Sequence, residues 1–293
     1  MYFSDLTNRE IIELIEEEDD RAFSKGLGPM HRCAEIKYAL SKRFGFTNHI
    51  GYAPEGSASK IIDDYYHSMY RIKDTSIDAI HSGIFMHKDV FGKIYLPVFF
   101  GTNSIDYLEF TNLNQYQKIY IKSNPTDHAA YKECCKDIFQ IGTSIFQSDV
   151  KRRLGEHSYH RFRQAALHLQ SATAILDGGS SFRGANQSSI LAVEQFLKAA
   201  CIAAGMSDRQ ATDFKHRISE IYDALSDFYP KIRSNELSEL IERTPNYVKD
   251  RYENKEPTRL YSGRNIMRAQ RIGSILTEEF IGHHWRNHII KEG

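Results

Sequence analysis

The clearest pattern of apolar and polar positions in the chain lies between Ser189 and Gly205. The apolar positions recur at steps of three and four, at Ile190, Val193, Leu197, Ala200, Cys201 and Ala204. One stripe of a helix would therefore be continuously apolar, which predicts a core helix. Glu194 and Lys198 are four residues apart on this helix, in the order that favours a side-chain pair worth roughly a few tenths of a kcal/mol. Gly205 predicts its end.

The first 150 residues mix two periodicities. A capping box formed by Thr7 and Glu10 predicts the start of a helix, and the acidic run that follows, residues 16–20, is typical of a solvated helix face. The helical pattern returns at residues 30–44, 60–71 and 128–146. Residues 79–87, 93–100, 105–110 and 117–122 have the composition or alternation of strands, the first two as a hairpin. We therefore predict an α+β domain over residues 1–150, with a small, mostly antiparallel sheet.

The second half of the chain is helical in pattern throughout. Helical spacing of apolar residues covers residues 159–176, 189–205, 214–228, 237–241, 247–252 and 260–281. Helices joined by short loops predict an up-and-down bundle over residues 151–293, so the chain should be mainly α overall. The basic cluster and glycine at residues 151–155 are the predicted domain boundary.

Composition adds few constraints. The net charge is zero, but acidic residues are in excess in residues 1–150 and basic ones in residues 151–293, so the second half is the more suitable one for an anion. The four cysteines, Cys33, Cys134, Cys135 and Cys201, contain no C-x-x-C pair, which predicts no disulfide framework and no zinc site. The N-terminus is acidic, and no apolar run reaches the ~18 residues of a membrane span, so we expect a cytoplasmic protein with no membrane partner.

Residues 157–281 resemble a HEPN domain, a small helical bundle. The resemblance depends on Ala172–Leu176 in the first helix, and on Ala192-Val193-Glu194 and Leu197-Lys198-Ala199 in the second. It also depends on His216 ahead of Ile218 and Ile221, and on Tyr247 and Arg251-Tyr252 at the end of the fourth helix. The resemblance implies a bundle that forms a homodimer, with RNA or a nucleotide as a possible ligand. It does not extend to residues 1–150.

Many members of that family are ribonucleases that use an arginine and a histidine four to six residues apart. One group moves the proton of the 2′-hydroxyl and the fixed cation binds the phosphate. In this chain no histidine follows Arg251 at the expected place, and family members without the pair resemble binding or dimerisation modules. A displaced pair is the alternative, with Arg152 and His157 or with His216 as candidates. The pairs Arg163 with His168 and Arg209 with His216 have a comparable spacing.

Two further patterns concern ligands. Arg264, Arg268 and Arg271 share one side of the last helix and Arg259 precedes them, so this stripe either binds phosphate, or is a solvated face or pairs with the acidic N-terminal domain. His284 with His288, and Glu279 with His283, have the spacing that can hold a metal ion, but a surface role is the favoured interpretation at a chain end. We therefore predict no metal site and no cofactor.

Together these patterns favour a non-catalytic HEPN-like protein that dimerises through its bundle and recognises a ligand or partner through residues 1–150, in a stress or defence setting. The alternative is a metal-independent RNA endonuclease with a displaced active site. That site would use His157 or His216 with Arg152 or Arg251.

Overall fold

The computed structural model describes residues 2–49, 53–70, 80–97, 106–179 and 181–282, and the protein is mainly helical with one small two-stranded sheet. The chain forms two compact units. Unit 1 is Met1–Asp78 and unit 2 is Ala79–Gly293.

The described part of unit 1 is helical. Its elements are a 3₁₀ turn at Phe3–Asp5 and helices α1 (Asn8–Ser24), α2 (Pro29–Phe44) and α3 (Ala58–Met69). The predicted capping box is confirmed, because the Glu10 amide donates to Thr7 Oγ1 and the Thr7 amide donates to Glu10 Oε2 at 2.7 Å. One apolar cluster joins the three helices; its fully buried members include Ile15, Ile36, Leu40, Ile62 and Tyr66. No strand occurs in the described residues of this unit.

The acidic run of α1 is only partly solvated, so the sequence interpretation needs correction. Asp19 is 7% exposed and accepts a hydrogen bond from Arg32 Nε at 2.9 Å and another from the Tyr70 hydroxyl at 2.6 Å. Arg32 is itself buried and also donates to the Tyr70 oxygen. A buried carboxylate needs such partners, which α2 and the end of α3 supply.

Unit 2 contains a hairpin, a 3₁₀ turn at Tyr107–Glu109 and the remaining helices. The strands are β1 (His81–His87) and β2 (Val90–Leu96). The helices are α4 (Gln115–Ser123), α5 (Pro125–Ile145), α6 (Val150–Leu154), α7 (Glu156–Asp177), α8 (Phe182–Ala203), α9 (Asp208–Asp213), α10 (Ile218–Phe228), α11 (Asn235–Glu242), α12 (Tyr247–Tyr252) and α13 (Arg259–Ile281). A second 3₁₀ turn, Pro230–Ile232, follows α10.

The predicted hairpin is confirmed in its central part. β1 and β2 pair antiparallel, in a register that places His81 opposite Leu96 and His87 opposite Val90. The prediction of a third strand at residues 105–110 is wrong over its described part: residues 107–109 form a 3₁₀ turn, and only Thr111 bridges to Ile94. Residues 79, 98–100 and 105 of the predicted strands lie outside the described residues.

The predicted fourth strand is wrong. Residues 117–122 belong to helix α4, which begins at a capping box: the Gln117 amide donates to Asn114 Oδ1 and the Asn114 amide donates to Gln117 Oε1. The alternation of Ile119 and Ile121 with polar residues suggests one buried strand face, but on a helix these two isoleucines have different environments. Ile121 is 2% exposed, whereas Ile119 is 53% exposed.

Helix α8 is the central element of the helical region and is apolar along its predicted stripe, with Ile190, Val193, Leu197, Ala200 and Cys201 all buried. It starts at Phe182, seven residues before the predicted start, because Ser181 caps the amide of Gly184. The predicted helix over residues 214–228 is interrupted, since Lys215 adopts a left-handed φ of 52° and α10 starts only at Ile218. α7, α10 and α13 pack against α8, which confirms a helical bundle.

A buried amide of the last helix is hydrogen-bonded to the backbone of the hairpin. Gln270 of α13 is 1% exposed; its Oε1 accepts from the Ile84 amide at 2.7 Å, and its Nε2 donates to the Ile84 carbonyl at 2.9 Å. Gly83 next to it could not carry a Cβ, which would lie 2.7 Å from Gln270 Oε1. The hairpin and α5 therefore belong to the same unit as the helices after residue 150. This division differs from the predicted boundary at residues 151–155.

Acid stability should report on the buried histidine of β1. His81 is 0% exposed, and burial lowers its pKa from 6.5 to about 3. The unfolded chain binds a proton below pH 6.5 and the folded chain does not, so stability contributed by neutral His81 is lost as pH falls towards the folded pKa. We expect His81 to account for a loss of about 2 kcal/mol between pH 6.5 and pH 5.

Urea denaturation of the wild type and of His81→Leu across this pH range measures the effect. The variant should lose less free energy of unfolding on acidification than the wild type does. An identical pH dependence in the two proteins would show that His81 is not the group that titrates.

Candidate functional site

The residues that carry the resemblance converge on one ion-pair network in unit 2. Lys198 Nζ donates to Glu194 Oε1 at 2.7 Å, and His216 Nδ1 lies 2.7 Å from Glu194 Oε2. The side chains of Glu194 and Lys198 are 3% and 4% exposed, whereas that of His216 is 43% exposed. The network thus has a buried anion and cation on α8 and a half-exposed histidine at its outer end.

Local geometry explains how His216 reaches Glu194. The left-handed residue Lys215 turns the chain between α9 and α10, which directs the loop back onto α8. The His216 ring then packs on Tyr247 of α12, with 4.7 Å between ring centroids and an angle of 33°. Sequence reasoning identified each of these residues, but the contact between Glu194 and His216 needed the fold.

The chemistry open to His216 follows from its partners. Because a carboxylate accepts, Nδ1 is the donor in this contact, and Nε2 is the other ring nitrogen of a side chain that is 43% exposed. A carboxylate that fixes the tautomer of a histidine is the arrangement found in general acid–base catalysis. The Glu194 charge also acts on His168 of α7. Burial lowers the pKa of His168, and the Glu194 charge opposes that shift.

The other predicted catalytic residues lie elsewhere in unit 2. Arg152 on α6 and His157 near the start of α7 are both exposed. Arg251 is exposed on α12, with its guanidinium 5.7 Å from the Tyr252 ring. The described contacts of His216 are with Glu194 and Tyr247, and they include none of these arginines. Arg251 is one helical turn beyond Tyr247 and therefore lies on the same side of α12 as the ring on which His216 packs.

Two members of the arginine stripe are held by contacts within the protein. Arg271 makes a two-pronged pair with Glu236, at 2.6 and 2.9 Å, and a third contact with Asp137 at 3.1 Å. Arg259 donates to the Asp89 carbonyl and lies over the Phe91 ring. Of these partners, Asp137 is the acidic side chain that belongs to residues 1–150.

The remaining two arginines are the more available part of the stripe. Arg264 is exposed, and Arg268 is half-buried and donates to the Arg243 carbonyl and to Asn265 Oδ1, both at 2.6 Å. Burial lowers the pKa of Arg268, and the charges of Arg243 and Arg264 lower it further. Three guanidinium groups therefore lie near one another at this place.

A polar network beside α8 was not anticipated from the sequence. Asp250 of α12 is 4% exposed; its Oδ1 accepts from Asn186 Nδ2 at 3.2 Å, and Asn186 Oδ1 accepts from Asn265 Nδ2 at 3.0 Å. Burial raises the pKa of Asp250. Arg183 donates to backbone carbonyls at Asp250 and Lys255. The only signal in the sequence is a pair of asparagines at buried positions of otherwise apolar helices.

Other kinds of site find limited support. Within residues 2–282, gaps excepted, no group of three or more His, Cys, Asp or Glu side chains could hold a metal ion, and the predicted pairs involving His283, His284 and His288 lie outside the described residues. In the same part of the chain no helix combines the length and the apolar character needed to cross a membrane. A polar groove of about 520 Å³ between α10 and α11, lined by residues such as Asp223 and Ser226, contains none of the predicted site residues.

Comparison of the chain with known proteins finds no matching family model, no matching curated protein and no matching solved structure. The fold therefore defines the class at a coarse level only, as a mainly helical protein with a helical bundle and a small hairpin.

The buried Glu194–Lys198 pair should make the stability of the protein depend strongly on both of its members. Lys198→Met removes the buried cation and leaves Glu194 with His216 as its only described ionic partner. Removal of one partner of a buried ion pair destabilises by about 3–5 kcal/mol, and we expect a loss towards the lower end because His216 still faces the carboxylate. Chemical denaturation of Lys198→Met measures this loss.

The double variant Glu194→Leu/Lys198→Met provides the matched comparison. Because it buries no unpaired charge, it should recover part of the lost stability. A double variant that is less stable than Lys198→Met alone would contradict the ion-pair interpretation.

Proposed function

We propose that residues 157–281 form a HEPN-like module and that the protein acts by binding, without catalysis. The observation that carries this proposal is the convergence of Glu194, Lys198 and His216 in one network. Glu194 and Lys198 belong to the strongest part of the resemblance, and the contact of His216 with Glu194 connects the loop before α10 to the central helix. A network of this kind would stabilise the helical bundle whether or not the protein is an enzyme.

The positions of the arginine side chains support a protein that does not cleave RNA. Cleavage of RNA through its 2′-hydroxyl requires a base and a cation on the same phosphate. The guanidinium of Arg251 lies over Tyr252, and those of Arg259 and Arg271 are engaged with Asp89, Phe91 and acidic side chains. The described contacts thus place no arginine beside the His216 ring.

One observation favours the alternative, a metal-independent RNA endonuclease. The carboxylate of Glu194 fixes His216 while 43% of the His216 side chain stays exposed, which suits a general base. Arg251, one turn from Tyr247, would then supply the cation after a change of its side-chain conformation. His157 has no comparable support, because its ring is exposed at the start of α7.

Ligand or partner recognition in this proposal belongs to unit 1. A groove of about 450 Å³ in this unit is lined mainly by apolar side chains, among them Phe3, Leu6, Ile11, Phe44 and Phe46. Concave apolar surfaces with few polar groups are the usual ligand sites of proteins. The groove is therefore the first place to search for the ligand of the N-terminal region.

A cleavage assay separates the binding proposal from its alternative. Purified protein is incubated with labelled structured RNA in EDTA, alongside His216→Ala, His157→Ala and Arg251→Ala. We expect no cleavage by the wild type above the level of the variants. Metal-independent cleavage that falls by a factor of about 100 or more in His216→Ala would establish the endonuclease, since acid–base groups contribute about that much or more.

Light scattering tests the homodimer that the resemblance implies. Val248 and Tyr252, one turn apart on α12, are 49% and 72% exposed, and Leu260 and Tyr261 at the start of α13 are also exposed. We expect a dimer for the wild type and a shift towards monomer for Val248→Glu/Tyr252→Glu. The exposed residue Tyr2 supplies a control, Tyr2→Glu, in unit 1. A monomeric wild type at micromolar concentration would refute the dimer.

A further inference from the structure

Helix α4 presents its apolar side to solvent. Tyr116, Ile119 and Tyr120 are 85%, 53% and 50% exposed, and their spacing places them on one helix face. Ile121 is the buried residue through which the helix contacts the apolar cluster of α5 and the hairpin. Contiguous exposed apolar side chains on a folded protein mark binding surfaces. This face, with the lysines described next, is called the α4 surface.

Lysines flank the aromatic face on both sides. Lys122 of α4 is exposed and lies three residues after Ile119, at one edge of the face. On the other side, Lys88 in the hairpin turn places its Nζ 5.8 Å from the centroid of the Tyr120 ring. The tyrosines thus lie between positively charged side chains.

In their described contacts, these lysines form no ion pair with the neighbouring groups of the hairpin or of α5. The His87 ring packs on Tyr120, with centroids 5.3 Å apart, and its Nδ1 lies 3.5 Å from Asp127 Oδ1 at the start of α5. Asp89 is the other acidic residue of the turn, and its carbonyl accepts from Arg259. The α4 surface therefore carries two lysines, Lys88 and Lys122, with Asp89 and Asp127 as its nearby acids.

The backbone at Lys88 gives a second, independent indication. Its φ is 56°, in the left-handed region where glycine or asparagine is preferred and where another L-residue is disfavoured by about 1–2 kcal/mol. Turn geometry alone would favour glycine here. The placement of the ammonium group beside Tyr120 is a reason for a lysine at this position.

We infer that the α4 surface binds single-stranded nucleic acid, with bases stacked on Tyr116 and Tyr120 and phosphates held by Lys88 and Lys122. Aromatic side chains bordered by lysines are the common arrangement for this ligand. Two tyrosines one helical turn apart are separated by about 6 Å along the helix axis, a distance that about two stacked nucleotides span. The lysines beside the face supply the positive charge that a phosphate backbone requires.

The inference is independent of the proposed function, since α4 lies outside residues 157–281 and uses neither His216 nor Glu194. The test is fluorescence anisotropy of the full chain with a labelled single-stranded RNA of mixed pyrimidines. A DNA strand of the same sequence and an RNA duplex serve as comparison ligands. We expect binding to the single strands and weaker binding to the duplex, whose bases are not accessible for stacking.

Two variants define the site. Tyr116→Ala/Tyr120→Ala should weaken single-strand binding by about tenfold or more, since each stacked base contributes about 1–3 kcal/mol. Lys88→Gly should lower the slope of log K against log salt by about 0.7 and leave the protein at least as stable, because glycine accepts the left-handed φ. That combination separates a lost phosphate contact from a folding defect.

The matched control is Tyr38→Ala on α2. Tyr38 is 50% exposed and lies 4.7 Å from Lys42 Nζ, so it reproduces a tyrosine with an adjacent lysine in unit 1. It should not change the affinity. The inference fails if the wild type does not bind single strands, or if a folded Tyr116→Ala/Tyr120→Ala binds them as the wild type does. Loss of self-association in that variant without any RNA affinity would assign the surface to a second copy of the chain and would also overturn the inference.

Discussion

The organisation of unit 2 depends on the pair of hydrogen bonds between the Gln270 amide and the backbone of Ile84. The Ile84 amide would otherwise be buried and unpaired, and the Ile84 carbonyl would keep only the Cys134 thiol as a donor, at 3.2 Å. A single side chain of α13 satisfies both groups and also donates to Cys134 Sγ at 3.4 Å. Through it the hairpin, α5 and the last helix become one packed body, although Ile84 and Gln270 are 186 residues apart in the sequence.

The buried ion pair of α8 has a different role. A short-range Glu194–Lys198 pair on an exposed helix would add only about 0.3–0.5 kcal/mol, but burial makes each charge dependent on the other. With His216 as the outer partner, the pair links the central helix to a loop whose backbone turns at Lys215. The arrangement of Glu194, Lys198 and His216 suits a structural role, and it would also suit acid–base catalysis. What decides between them is a cation beside the His216 ring.

Much of the helical architecture follows from local signals, whereas tertiary links do not. The start of α1 could be read from Thr7 and Glu10, and the long α13 from its apolar seam, because caps and periodicity are properties of neighbouring residues. Helix α4 was missed although Asn114 and Gln117 form a capping box, since alternation over a few residues fits a strand equally well. Neither the burial of Asp19 beside Arg32 nor the contact of Gln270 with Ile84 has any local signature, so the unit boundary could not be predicted.

The hairpin connects the packed body to the α4 surface. Gln270 contacts β1 at Ile84, and at the far end of β1 the His87 ring packs on Tyr120 and lies 3.5 Å from Asp127. Gly263 of α13 approaches the hairpin so closely that a Cβ there would lie 2.8 Å from Phe91. A left-handed lysine persists only where its surroundings determine the backbone. The packing that fixes the hairpin is therefore also what places the Lys88 ammonium beside Tyr120, and a ligand of that surface would meet a preformed site.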